Sequence, residues 1–190
     1  MASSPTKSEP LMLYGVDPPA ETRVTTLHTK IVEGAYLSGG HAREIVIGRK
    51  LAERLRVRLG EKIVLMAPAA DGTLGSAALR ITGIVETGND MFDRTMAVTN
   101  LVVARELLTV PGDVSAIAVR LNDIDDAEAA IPALATSLTA PAQQIVSWKT
   151  LQPEVEQMLD FIRINLRVIL IIVFAVVALG VMNTLLMAVL

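Results

Sequence analysis

The sequence contains no cysteine, only two histidines, and aromatic residues at just 3% of its 190 positions. Without thiols there is neither a disulfide framework nor a thiolate zinc site. His28 and His41 lack the spacing of a zinc pair and read as surface residues. Few aromatics means few platforms for base stacking, and a net charge of −3 leaves no broad basic surface, so nucleic acid is not an expected partner. There is no Gly-rich Walker loop for ATP and no Gly-x-Ser-x-Gly elbow for a serine hydrolase. The sequence therefore offers no catalytic, cofactor-binding or metal-ligating set.

Charge is scarce as well. Charged residues make up 19% and hydrophobic residues 52%, against about 25% and 45–50% in a soluble domain. That balance excludes a disordered chain, and the excess is localised. No charged residue follows Arg167, leaving 23 residues (VILIIVFAVVALGVMNTLLMAVL) of which fifteen are Leu, Ile, Val or Phe. At about −0.3 to −0.6 kcal/mol each for central positions, these outweigh Asn183, Gly180 and Thr184 and favour insertion. As a helix the segment is about 35 Å long, enough for a hydrocarbon core of about 30 Å. The preceding residues are roughly 47% hydrophobic, an ordinary globular value. The composition thus describes an extramembrane domain and a transmembrane helix over 168–190.

Residues 1–10 (MASSPTKSEP) are polar and are expected to be a disordered tail; they carry no signal-peptide apolar run. Leu11–Gly15 reads as a strand broken by Asp17-Pro18-Pro19, and Gly34–His41 as a loop. Glu44–Gly48, Lys62–Ala67, Ala77–Thr87 and Thr95–Val103 read as strands, with a short helix over Arg49–Arg56 and a helical turn over Ala104–Leu108. Gly83 inside its strand predicts a bulge or a close backbone approach. Gly88–Arg94 reads as a polar loop. Val114–Leu121, a helix entered at Asn122–Asp126 and running to about Leu138, and Gln144–Trp148 together read as a β-α-β unit. The expected fold is α+β over 11–150, with a β-rich subdomain at about 34–110. From Leu151 the pattern is helical without interruption, through a juxtamembrane stretch (151–167) into the span, a rod of about 58 Å.

Several residues stand out as candidate sites. Gly180, Thr184 and Ala188 recur every four residues beside Asn183, a pattern that lets a second helix approach in lipid and hydrogen-bond across it. The alternative is a polar residue tolerated near the membrane edge. Arg163 and Arg167 mark the membrane interface. Met91 and Phe92 are candidate partner contacts or pack beneath their own loop. The basic run Arg49, Lys50, Arg54, Arg56, Arg58 and Lys62, diluted by Glu53 and Glu61, reads as a solvated face, with lipid headgroup contact as its functional alternative.

The order of these features resembles a known family. A Gly15-Val16-Asp17-Pro18 motif follows an early strand. The run EIVIGRKLAERLRVRL (44–59) leads into Gly60-Glu61-Lys62-Ile63 and then ITGIV (81–85). A Trp148-Lys149-Thr150-Leu151-Gln152-Pro153-Glu154 segment precedes a helix ending LGVMNTLLMAV (179–189). From about Leu11 to the end this is similar to the FtsX-like permeases of ABC transporters, of the MacB and lipoprotein-releasing (LolC/LolE) type.

The resemblance implies a MacB-type extracytoplasmic core domain followed by the second of four membrane helices. The first helix and the ATPase-contacting stretch after the second are missing here, so a fragment of a permease roughly twice as long is expected. It also implies an inner-membrane location, an ABC ATPase subunit that uses the ATP, a second permease subunit in a homo- or heterodimer, membrane lipid, and a lipoprotein or periplasmic carrier. Arg163 and Arg167 alone would put their flank in the cytoplasm; the family puts it outside. A tail-anchored binding or scaffold protein is the competing reading.

Overall fold

The computed structural model describes residues 1–4, 7–110, 112, 114–123, 126–136 and 144–189, the side chains of 188 and 189 excepted. They fall into two compact units, Met1–Arg120 and Leu121–Leu190.

The first unit is built on one mixed sheet. In chain order its elements are β1 (Ala2–Ser3), β2 (Ser8–Glu9), β3 (Met12–Val16), α1 (Pro18–Val24), a 3-10 turn (Leu27–Lys30), β4 (Ile31–Gly34), β5 (Glu44–Gly48), α2 (Arg49–Leu55), β6 (Lys62–Pro68), β7 (Leu74–Val85), α3 (Asp90–Thr95), β8 (Met96–Asn100) and α4 (Leu101–Leu108). The strand order is β2-β1-β6-β7-β5-β8-β3, and β4 joins β7. Strand β5 lies parallel to β7 and antiparallel to β8, and β3 lies parallel to β8. The class is α+β, as the sequence predicts.

Two strand-helix pairs give the sheet its inner layer. EIVIG (44–48) is nearly all apolar and buried, as a central strand should be. It passes directly into α2, whose buried face is Leu51, Ala52 and Leu55 at i, i+1 and i+4. Likewise β8 passes into α4, which buries Val103, Ala104 and Leu107. Each helix ends on a left-handed residue, Arg56 or Thr109, whose N–H turns back onto the last helical turn. Between helices and sheet lies a core that includes Ile45, Ile47, Ile63, Leu65, Leu79 and Ile81. A second cluster, Leu37, Val46, Val85, Met96 and Val98, sits on the other sheet face, with Tyr36 packed against it. Burial, with the nearby charge of Glu21 as the smaller cause, pushes the Tyr36 hydroxyl up to about 12.

Gly83 behaves as its sequence position predicts. The β5–β7 register skips between Ile45 and Val46, and a Cβ at Gly83 would meet the carbonyl oxygen of Ala35. Bulge and close approach coincide there.

Five expectations are corrected. Residues 1–10 are not a free tail among the residues described. Ala2 is fully buried, β1 pairs with β6, and the Met1 ammonium donates to the Met66 carbonyl at 2.8 Å. Ser4 is buried too, its hydroxyl donating to the Leu55 carbonyl at 2.9 Å. Small polar side chains satisfied by backbone fit an interior that their composition alone does not suggest. Consequently the sheet takes in residues 2–16 as well as the 34–110 region. Residues 88–94 are not simply a loop, because α3 occupies most of them. Helix α4 starts at Leu101, within the span whose pattern predicts strand, since its buried stripe follows helical spacing.

The fifth correction concerns the β-α-β unit. Neither Val114–Leu121 nor 144–148 forms a strand among the described residues. A strand needs a hydrogen-bonded neighbour, and 114–121 finds none there; Ile117 is 78% exposed. Its helix is present as α5 (Ala127–Ala135), with Pro132 inside it, in the second unit. The expected helix end at Leu138 lies outside the described residues.

The rest of the second unit is α6 (Trp148–Leu151) and α7 (Pro153–Val189). The helix predicted to run on from Leu151 is interrupted at Gln152, at φ −135° and ψ 68°. Pro153 disfavours helical backbone at the residue before it and is tolerated at a first helical position. Lys149 lies 4.0 Å from Glu156 across the interruption and 3.4 Å from Glu128 on α5.

Candidate functional site

Helix α7 has 37 residues, about 55 Å at 1.5 Å per residue. Its Pro153–Met187 stretch has a mean hydropathy of 2.8 in its most apolar window, no residue of which is buried among the described residues. Length and composition suffice to cross a bilayer. Pro153–Arg167 would then extend about 22 Å beyond the apolar segment.

On this helix Gly180, Asn183 and Thr184 share one face by helical spacing. Nothing lies within 4 Å of the Cβ position of Gly180, which leaves a flat patch. The Thr184 hydroxyl donates to the Gly180 carbonyl at 2.9 Å, so it is satisfied within its own helix. The Asn183 amide has no hydrogen bond among the described residues. In hydrocarbon an amide without a partner is costly. The backbone of Ala188 is helical, but its side chain lies outside the described residues. Arg163 lies 3.7 Å from Asp160, one turn earlier, and Arg167 is the last charge before the apolar run. Sequence reasoning passed over Asn165, which donates to the Phe161 carbonyl at 3.0 Å on the entry side of the span.

In the first unit, Met91 and Phe92 are displayed by α3. Asn89 caps that helix, its side-chain oxygen accepting from the N–H groups of Met91 at 3.0 Å and Phe92 at 3.2 Å. Asp93, only 2% exposed, accepts from the Thr87 hydroxyl at 2.7 Å and from the Thr87 N–H at 3.1 Å. A short helix tied down at both ends holds Met91 out at 80% exposure, not packed beneath a loop. Phe92 is half-covered, its ring centroid 6.2 Å from that of Tyr14 on β3. Met12, two residues before Tyr14, is exposed on the same sheet face. Tyr14 was not singled out from the sequence. Its place in the apolar run Leu11–Gly15 is a local signal for a strand, but its meeting with Phe92 is long-range.

Among the described residues no cluster of His, Asp and Glu could hold a metal ion.

Comparison with known proteins gives this arrangement a family. Residues 2–137 match the model of the MacB-like periplasmic core domain. Among curated relatives, the chain is 28% identical over 142 residues to a lipoprotein-releasing system transmembrane protein LolC of Xylella fastidiosa, covering 71% of this chain and 34% of that protein. It is 26% identical over 190 residues to the protein of the same name from Neisseria meningitidis, covering 94% of this chain and 45% of that one. The chain thus spans a third to just under half the length of these relatives. A mixed sheet with paired strand-helix units, matched over most of the chain, shows that the chain belongs to the MacB-like periplasmic core domain family.

Proposed function

We propose that this chain is part of the permease component of an ABC transporter of the MacB and lipoprotein-releasing type, seated in the inner membrane with its sheet domain on the extracytoplasmic side. One observation carries the reading: a core domain of this family and a helix able to cross a bilayer occur in one polypeptide. ATP is used by a partner ATPase, and this chain contributes no catalytic group. The chemistry asked of it is mechanical. Motion at the membrane passes along α7, whose first four turns stand clear of the apolar segment, to the domain that faces the cargo. Gly180, Asn183, Thr184 and Ala188 form the seam against another permease helix, with Arg163 and Arg167 at the headgroups, where guanidinium side chains can snorkel. Met91 and Phe92 are contacts for a lipoprotein or its carrier.

The test is affinity isolation of the tagged chain from native membranes solubilised in mild detergent. An ABC ATPase and a second permease subunit should co-isolate, and adding ATP to the membranes should release lipoprotein. Isolation of the chain with no ABC ATPase would refute the reading and favour a membrane-anchored binding or scaffold protein.

A further inference from the structure

A groove of about 680 Å³ opens in the first unit between α2, the loop that follows it, and the β4–β7 pair. Its floor is apolar, with Ala52, Val57 and Ile84 buried and Leu59 exposed at the side. Its rim is charged. Arg49 is committed to Glu86 at 2.7 Å and to Glu33 at 3.9 Å, and Glu53 is paired with Lys50 at 3.6 Å. Arg56 and Arg58 differ: among the described residues neither guanidinium has an ion pair or a hydrogen bond.

The loop that carries them is fixed. The Val57 N–H donates to the Ala52 carbonyl, the Gly60 N–H to the Ile81 carbonyl, and the Arg58 N–H to the Glu61 carboxylate. Arg56 has φ 55° and ψ 45°, a left-handed position that suits Gly or Asn and strains other residues. An arginine at such a position gives the groove a guanidinium that glycine could not.

Two unpaired guanidiniums on a rigid loop suit an oxyanion, because each presents parallel N–H donors. The apolar floor beside them suits an oxyanion attached to a hydrocarbon. Glu33 and Glu53 on the same rim disfavour a polyanion. An amphiphile of this kind is at hand wherever the chain's apolar helix sits in a bilayer. We propose that this groove binds the phosphate head of an anionic phospholipid, with Arg56 and Arg58 as the phosphate-binding residues and Leu59 and Ile84 against its glycerol and first methylenes. The proposal rests on membrane residence and is independent of ABC transport, so its test needs neither ATPase nor cargo.

The full chain in dodecyl maltoside micelles is labelled with phenylglyoxal, and each arginine is followed by peptide mass spectrometry. Dihexanoyl phosphatidylglycerol, at about four times its Kd, should slow labelling of Arg56 and Arg58 about fivefold while Arg23 and Arg94 react at unchanged rates. Dihexanoyl phosphatidylcholine, inorganic phosphate and a Glu-Leu repeat peptide should protect less. Arg56→Asn, which keeps a residue tolerant of the left-handed backbone, should raise the lipid Kd about tenfold, the scale of one lost charge-assisted interaction, so that the same lipid concentration slows labelling of Arg58 only about 1.4-fold. Equal labelling with and without the lipid would overturn the proposal. So would protection shared by Arg23 and Arg94, or protection by phosphate or the peptide equal to that by the lipid; these would mark a diffuse charge effect, a bare anion site or a peptide site.

Discussion

Asp93 and Thr87 are locked together: a buried carboxylate takes both the hydroxyl and the N–H of one threonine six residues earlier. This closes the turn between β7 and α3 and sets where Met91 and Phe92 stand. Asp93→Ala leaves both Thr87 donors without their acceptor, and a cost of about 1.5–3 kcal/mol follows from the loss of hydrogen bonds to a charged group. Urea unfolding of the full chain in micelles measures it. A change below about 0.5 kcal/mol, the size of an ordinary surface substitution, would show that the pair does not hold the turn.

Met91 and Phe92 should separate in their effects. Met91→Ser removes an exposed side chain and should leave stability within about 0.5 kcal/mol, while weakening cargo or carrier association if Met91 is a contact. Phe92→Ala loses its ring contact with Tyr14, worth about 0.5–1.5 kcal/mol beyond the buried area. Parallel melting and co-isolation experiments distinguish the two roles. A destabilised Met91→Ser variant would contradict the exposed placement.

Gly34 and Gly39 both have positive φ, at 80° and 90°. A Cβ at Gly34 would collide with the Thr82 carbonyl oxygen, whereas one at Gly39 meets nothing within 4 Å. Each change to Ala incurs the left-handed backbone cost of about 1–2 kcal/mol. Gly34→Ala should cost about 1–3 kcal/mol more, the range for overpacking. Equal denaturation midpoints for the two variants would refute the close approach.

Tyr36 gives a pH signature. Its pKa is raised from 10.0 to about 12 in the folded chain. The folded state therefore keeps a proton that the unfolded state gives up, so its stabilising contribution is complete below pH 10 and is lost as pH rises towards 12. Titrating tyrosinate absorbance in wild type and Tyr36→Phe should show that the component missing from the variant has a midpoint near 12. A missing component centred near 10 would mean the hydroxyl is not buried.

On the proposed membrane seam, Gly180→Leu fills the flat patch on α7 and should weaken association with a neighbouring permease helix, and Asn183→Leu should weaken it by about 0.6–2 kcal/mol, the worth of one interhelical hydrogen bond. Co-isolation of the second permease subunit from native membranes measures both. Undiminished recovery with Gly180→Leu would move the seam to another face.

The sequence made some of this legible for identifiable reasons. EIVIG followed by RKLAERL switches period from buried strand to amphipathic helix at one glycine, and the structure turns there. Gly83 interrupts an alternating strand where a backbone crosses. Other features are relations between distant residues, and composition does not encode them. Serines and an alanine near the start look like a tail, yet Ala2 pairs opposite Leu65 and Ser4 bonds to Leu55. The alternation of 114–121 describes side chains suited to a sheet, but a ladder also needs a second strand. In the candidate site, the exposure of Met91 follows from the Asn89 cap two residues before it and the Asp93 carboxylate two residues after it, which reaches back six residues to Thr87; only Asn89 has a recognisable local signal.

The interruption at Gln152 has a consequence for leverage. Because Pro153 starts a fresh hydrogen-bond ladder, α7 is one arm of about 55 Å anchored at a single non-helical residue. A tilt of about 10° at that residue would sweep the far end through ~10 Å over such a length. The Lys149–Glu156 bridge lies across the fulcrum, so salt that screens it would loosen the arm where the mechanical advantage is greatest.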